Sequence, residues 1–245
     1  VPRLYEVLHD RILRGVDRQG GKKAELFREA VRLGIKRYED PGSLTLFERL
    51  KDVLLILLVR KKVGERFGGR LKAFVSGGAA LNPDIGKFFL ALNVDLLQGY
   101  GQTEASPVVS ANLPSKIKIH TVGPALRGVQ VRIAEDGEIL VRGELVMHGY
   151  WRNPAETARV LHDGGLHTGD IGNIDAEGYL HITDRKKDMI ISGGFNVYPS
   201  EVEQVIWSHP AVQDCAVIGV PDEKWGEAVK AVVELNEGQS ATAEE

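Results

Sequence analysis

Residues 71–98 constrain the fold of this chain more than any other stretch. Leu71-Lys72-Ala73-Phe74-Val75 and Val94-Asp95-Leu96-Leu97 read as strands, and residues 83–92 between them read as a helix opening on Pro83. Proline suits a first helical turn, where its missing N–H would have had no partner. Strand, helix and strand in that order pair in parallel, and parallel sheets carry binding loops beyond the carboxyl ends of their strands. Both loops singled out in this way are rich in glycine: Ser76-Gly77-Gly78-Ala79-Ala80-Leu81 after the first strand, and Gln98-Gly99-Tyr100-Gly101-Gln102-Thr103-Glu104 at the end of the second.

The second loop holds the inventory of a nucleotide site. Glycine lets the backbone approach a ligand, Tyr100 offers a flat face to a base, Thr103 a hydroxyl to a phosphate, and Glu104 oxygen to a hard cation. Taken alone, the same residues also describe a helix start, with Thr103 as cap and Glu104 in the first turn, and that reading is the simpler one. The first loop alone is an ordinary strand-to-helix turn.

Three later segments change that balance: Gly149-Tyr150-Trp151-Arg152-Asn153-Pro154, continuing to Thr157; Leu166-His167-Thr168-Gly169-Asp170-Ile171-Gly172; and residues 184–203, DRKKDMIISGGFNVYPSEVE. In order and spacing the five segments closely resemble the adenylate-forming superfamily of acyl-CoA synthetases, luciferases and peptide-synthetase adenylation domains. The resemblance runs over about residues 2–235, and residues 1–12 with the helical stretch after them look most like long-chain fatty acid CoA ligases.

That resemblance implies a reaction in two halves. A carboxylate attacks the α-phosphate of ATP to give acyl-AMP and pyrophosphate, and coenzyme A then displaces AMP. It assigns Gly77, Gly78 and Ala79 to the adenine pocket and Gln98, Gly99, Tyr100 and Gly101 to the nucleotide, with Tyr100 stacking on adenine for about 1–3 kcal/mol. It gives Thr103 the α-phosphate and Glu104 the Mg2+ that neutralises charge during displacement. Asp170 would accept hydrogen bonds from both ribose hydroxyls, one on each oxygen, and Arg185 would reach the same ribose. Lys187 matches the hinge, and Ser192, Gly193 and Gly194 match a loop that approaches coenzyme A. Locally, Asp170 is equally a turn aspartate and Gly193-Gly194 a plain turn. Trp151, Pro154 and Trp225 read as packing anchors.

Composition bounds the partners. With 43% hydrophobic and 27% charged residues, 245 positions can build a sizeable core and two domains. A net charge of −3 with no concentration of lysine and arginine argues against nucleic acid. The single cysteine, Cys215, cannot close an intramolecular disulfide and reads as a buried thiol in a reducing, cytoplasmic compartment. No charged-then-apolar leader is read at the start, and the longest apolar run, residues 53–59, is too short to cross a bilayer. Phe47, Leu50, Leu54, Leu57 and Leu58 recur at helical spacing, so this helix is expected to bury that face against a sheet. Peripheral membrane contact through it and Arg60-Lys61-Lys62 ranks below core packing, and a homodimer is compatible with the same expectation.

The expected fold is α/β with a β-barrel-like subdomain, plus a small α+β carboxyl-terminal domain. Helices are expected at residues 3–14, 22–36 and 44–67, and the α/β layer to about residue 127. From residue 128 the period becomes two, with hairpins about Asp136-Gly137 and Ala176-Glu177-Gly178, giving a β subdomain over 128–185. Five charges in a row, residues 184–188, suit a hinge or a solvated turn, so residues 1–185 and 186–245 are expected as domains. Ser200 and Glu203 have the spacing of reciprocal helix caps.

Two pieces of an active member are not found: a Ser/Thr/Gly-rich phosphate loop with its lysine, and a late lysine in a Gly-Lys context, Lys230 being the last lysine present. The expectation is therefore the central and later part of a fatty-acid CoA ligase, inactive by itself. The alternatives are a peptide-synthetase adenylation domain, a luciferase-like or acyl-adenylate-only enzyme, and a non-catalytic nucleotide-binding or interaction module.

Overall fold

The computed structural model describes residues 2–242. They form two compact units: one runs to Val129 and takes in Ala176–Leu180, and the other holds Gln130–Asp175 and the residues from His181 on.

In the first unit, helices α1 (Pro2–Gln19), α2 (Gly21–Glu39), α3 (Leu46–Leu55) and α4 (Lys61–Arg66) precede the sheet, with a single π turn, Ile56–Arg60, linking α3 to α4. A capping box starts α3: Glu48 N–H donates to Thr45 Oγ1 at 3.2 Å, and Thr45 N–H donates to Glu48 Oε2 at 3.0 Å. Strands β1 (Phe74–Ser76) and β2 (Leu96–Tyr100) pair in parallel across helix α5 (Pro83–Ala91), as the sequence pattern requires, and β3 (Ser110–Ala111) pairs antiparallel to β2. The core gathers Phe27 and Leu33 of α2 with Phe88, Phe89 and Leu96. At Gly34 a Cβ would lie 2.5 Å from Ala91 Cα, so glycine is what lets α2 and α5 touch backbone to backbone. Tyr5, Phe67, Phe74 and Phe89 meet as tilted or edge-on rings with centroids 5.4–6.2 Å apart.

The expected buried face of α3 is corrected. Phe47, Leu50, Leu54, Leu57 and Leu58 are exposed, and the inward positions are Asp52, Leu55, Val59 and Arg60. What turns the helix this way is a buried ion pair. The Arg60 guanidinium donates to Asp52 Oδ1 at 2.5 Å and to the carbonyls of Asp52, Ala91 and Ala30 at 3.1, 2.7 and 2.9 Å. Arg37 donates to the second Asp52 oxygen at 2.6 Å. Both buried charges are thereby paired and hydrogen-bonded, the condition under which burial of charge is tolerated.

The second unit contains two sheets. One has strands β4 (Gln130–Ile133), β5 (Glu138–Arg142), β6 (Leu161–His162), β7 (Gly165–Ile174) and β8 (Leu180–Arg185), with helix α6 (Pro154–Val160) before β6. Its order is β4-β5-β7-β6 with β8 also on β7, so it is an open five-stranded sheet and not a closed barrel. The expected Asp136-Gly137 turn joins β4 to β5, with Gly137 at φ 85°. The other sheet has order β10-β9-β12-β11, from β9 (Ile190–Ser192), β10 (Phe195–Val197), β11 (Val212–Asp222) and β12 (Gly226–Leu235), with helix α7 (Pro199–Trp207) between β10 and β11.

The capping expected at Ser200 and Glu203 is also corrected. Pro199 begins α7 one residue earlier, no side chain caps it from Tyr198, and the Ser200 N–H donates instead to Asp184 Oδ2 at 3.0 Å. Glu203 Oε1 accepts the Val217 N–H at 2.8 Å, tying helix to sheet. Cys215 is buried, as expected, and burial pushes its thiol pKa up. Among the described residues no helix is long and apolar enough to cross a membrane.

Candidate functional site

In the first unit the parallel register sets Ser76 beside Gln98, so both glycine-rich loops leave the sheet at the same end. The loop after β1 is tight: Gly78 has φ 84°, and a Cβ on Gly77 would lie 3.1 Å from the Gly99 carbonyl oxygen. Ser76 is 1% exposed, and its hydroxyl has no hydrogen-bond partner among the described residues. A close-packed backbone with an orphaned hydroxyl at its edge is a setting in which a flat polar ring can be received.

The loop after β2 turns sharply. Gly101 is demanded by the chain itself, since a Cβ there would lie 1.9 Å from the Pro107 carbonyl oxygen. Gln98 turns inward, and its amide donates to the Ile119 carbonyl. Tyr100 and Glu104 are half-buried and Thr103 is exposed. Residues Thr103–Ala105 form one 3-10 turn preceded by Gln102 with no side-chain cap, so the helix-capping alternative for Thr103 is not what the chain does. Glu104 is a hard oxygen donor, which fits Mg2+, an ion held through one or two carboxylates together with substrate phosphates.

In the second unit Asp170 sits on a bulge. Glu138 pairs with Ile171 and Leu140 with His167, so Thr168, Gly169 and Asp170 together stand opposite the single residue Ile139. Such bulges re-aim side chains. The Thr168 hydroxyl donates to the Ile139 carbonyl at 2.8 Å and accepts the Asp170 N–H at 3.2 Å. Arg185, at the end of β8, brings its Nε to 3.9 Å from Asp170 Oδ1. The two residues predicted to share one ligand are therefore neighbours.

Glu138 lies under the bulge, and sequence reasoning missed it. It is 5% exposed. Its Oε1 accepts the Gly169 N–H at 2.9 Å, and its Oε2 accepts from Lys186 Nζ at 3.0 Å, with His167 Nδ1 at 3.2 Å. Burial works against its ionisation, but the bonds from Lys186, His167 and Gly169 outweigh it and lower the pKa. The available signal was a carboxylate at the start of an otherwise apolar strand, Glu138-Ile139-Leu140-Val141. His162 stacks on His167 at 3.6 Å between centroids, and with Asp163 the pair brings ligand atoms within 4.8 Å of one another. Arg142 donates to the Asp163 carbonyl beside them, which places a cation against any metal there.

Lys187 is exposed, with Nζ 3.9 Å from Asp188 Oδ1, and borders a cavity of about 380 Å³ lined also by Asp184, Ser200 and Glu203. Ser192 ends β9, and Gly193 and Gly194, at φ 59° and 85°, make the two-residue turn into β10. The Gly193 N–H donates to the Trp225 carbonyl at 2.8 Å; of the expected packing anchors, Trp225 is half-exposed and Trp151 is exposed.

In the first unit the parallel pair with its two glycine-rich loops is an α/β arrangement whose loops lie beyond the carboxyl ends of the strands. The chain belongs to the AMP-binding enzymes: it matches that family, described as AMP-binding enzyme, over residues 1–151, and the AMP-binding enzyme C-terminal domain over residues 201–245. It is 42% identical over 219 residues to the long-chain-fatty-acid–CoA ligase of Bacillus subtilis, covering 84% of this chain and 39% of the relative. It is 44% identical over 189 residues to feruloyl-CoA synthase of an Amycolatopsis species, covering 71% of this chain and 38% of the relative. Among solved structures it resembles ATP-bound MatB from Rhodopseudomonas palustris, with TM-score 0.67 and 39% identity over 72% of this chain and 38% of that one. The chain thus spans about two fifths of the length of these relatives.

Proposed function

We propose that this chain is the central and later part of an ATP-dependent acid–CoA ligase. It would activate a fatty acid as acyl-AMP and pass the acyl group to coenzyme A. The observation that carries this reading is the parallel Ser76–Gln98 register, which delivers both glycine-rich loops to one sheet edge.

On this reading Gly77, Gly78, Ala79, Gln98 and Gly99 form the backbone against which adenine lies, and Tyr100 stacks on it. Gly101 holds the turn, and Thr103 donates to the α-phosphate. Mg2+ bound through Glu104 would supply charge neutralisation. Asp170 orients the ribose by accepting from its hydroxyls, with Arg185 as the cationic neighbour. Lys187 is the hinge between a domain ending at residue 185 and one beginning at residue 186, whose rotation would exchange the two half-reactions. Its exposure supports freedom to move. The Ser192-Gly193-Gly194 turn would then meet coenzyme A.

Long-chain fatty-acid specificity is supported by the ligase of Bacillus subtilis. An aromatic acid is the second reading, favoured by the feruloyl-CoA synthase. Thioester formation by the longer protein containing this chain, measured with palmitate, oleate and ferulate in parallel, tests the choice. A kcat/KM for either fatty acid well above that for ferulate is expected, and the reverse order overturns the fatty-acid assignment.

A further inference from the structure

We infer that Glu138 is a positioning residue that holds the Asp170 bulge in its ligand-facing shape and fastens that bulge to the residue just before the hinge. The inference rests on the proposed reading of Asp170 and Lys187.

Three residues opposite the single Ile139 interrupt the β5–β7 ladder at this point. Here both polar groups of the middle residue are used. The Gly169 N–H donates to Glu138 Oε1 at 2.9 Å, and the Gly169 carbonyl accepts the Lys186 N–H at 2.8 Å. Gly169 adopts φ 73°, a left-handed conformation that glycine takes without strain. The Lys186 side chain returns to the same carboxylate at 3.0 Å and to Asp136 at 2.7 Å, and these partners raise its pKa, Asp136 first. One buried carboxylate thus joins strand β5, the bulge of β7 and the chain immediately ahead of Lys187. Lys186 is consequently anchored to the Asp170 side, so the domain proposed to begin at residue 186 would turn from Lys187 onward.

The test uses the longer protein containing this chain, with ATP binding measured by calorimetry and thermal midpoints recorded for every variant. Glu138→Gln keeps the volume and an acceptor for Gly169, but loses the charge that holds Lys186 and His167. ATP affinity is expected to fall about tenfold, the scale of one charge-assisted hydrogen bond. Lys186→Met, at a half-exposed site that folding tolerates, is expected to weaken ATP about threefold, and the double variant to be no weaker than Glu138→Gln alone, because the two share one interaction. An unchanged ATP affinity in Glu138→Gln, or losses that add in the double variant, overturns the proposal. Asp170→Ala, measured alongside, separates the two readings. If it leaves ATP affinity unchanged, the assignment of Asp170 fails. If it weakens ATP while Glu138→Gln does not, only the positioning role fails.

Discussion

Among the described residues Asp52 and Glu138 are the two buried acids, and they are satisfied in opposite ways. Asp52 in the first unit meets Arg60, itself buried, whose remaining donors go to backbone carbonyls of α2, α3 and α5. Glu138 in the second unit meets Lys186, which is half-exposed, and a backbone N–H of a bulge. A guanidinium's rigid fork with four of its five N–H donors spent locks helices together, whereas an ammonium on a flexible stem can return to water. Similar burial of the acid therefore serves architecture in one unit and the shape of a candidate site in the other.

Removal of each acid should break that comparison if it is wrong. Asp52→Ala leaves Arg60 charged and unpaired in the interior, and is expected to cost about 3–5 kcal/mol in equilibrium denaturation. Glu138→Ala frees Lys186 to solvent and chiefly orphans one backbone donor, so roughly 1–3 kcal/mol is expected by the same measurement. Equal losses would remove the distinction between the two sites.

Acid titration sharpens it further. In the first unit, hydrogen bonds from Arg32 and then Lys51 lower the Glu29 pKa from 4.5 to about 2, and Lys36 with the Thr45 N–H lowers that of Glu48 likewise. A carboxyl whose pKa is depressed on folding contributes stability above its unfolded pKa and loses it as pH falls through the folded one. Stability owed to these acids should therefore hold above pH 4.5 and fade towards pH 2. Glu29→Gln should be less stable than the parent at neutral pH and converge with it near pH 2 in urea titrations. A constant difference across that range would disprove the linkage.

The smallest expected effect concerns α3. Leu50 is 73% exposed, so Leu50→Ala in this chain is expected to change stability by no more than about 0.5 kcal/mol. Phe89→Ala in the core should cost about 3–5 kcal/mol. A large loss at Leu50 would restore the face expected from the sequence.

That helix marks where sequence reasoning stopped. Helical spacing of Phe47, Leu50, Leu54 and Leu57 reveals an apolar face, but spacing carries no information about which neighbour lies opposite it. The inward face here carries Asp52 and Arg60, polar residues eight apart that pair where the chain passes through the π turn Ile56–Arg60. Local chemistry was legible where one short interaction decides: Pro83 opening α5, Gly137 in its hairpin, and the parallel strands across α5. Thr45 and Glu48 had the spacing of a capping box and could have been read. The Ser200 cap was not legible, since the acceptor that replaces it, Asp184, comes from strand β8 sixteen residues away. Thr103, Asp170 and Arg185 were singled out by motif, yet the bulge that carries Asp170 depends on Glu138, 32 residues earlier, and no motif announces that pairing.

The central claim is that these loops serve acyl adenylation, and exchange of labelled pyrophosphate into ATP tests it most directly. In the longer protein containing this chain, exchange should depend on an added fatty acid and fall at least about tenfold in Asp170→Ala at subsaturating ATP. Exchange with no carboxylic acid tried, or exchange untouched by Asp170→Ala, would contradict it.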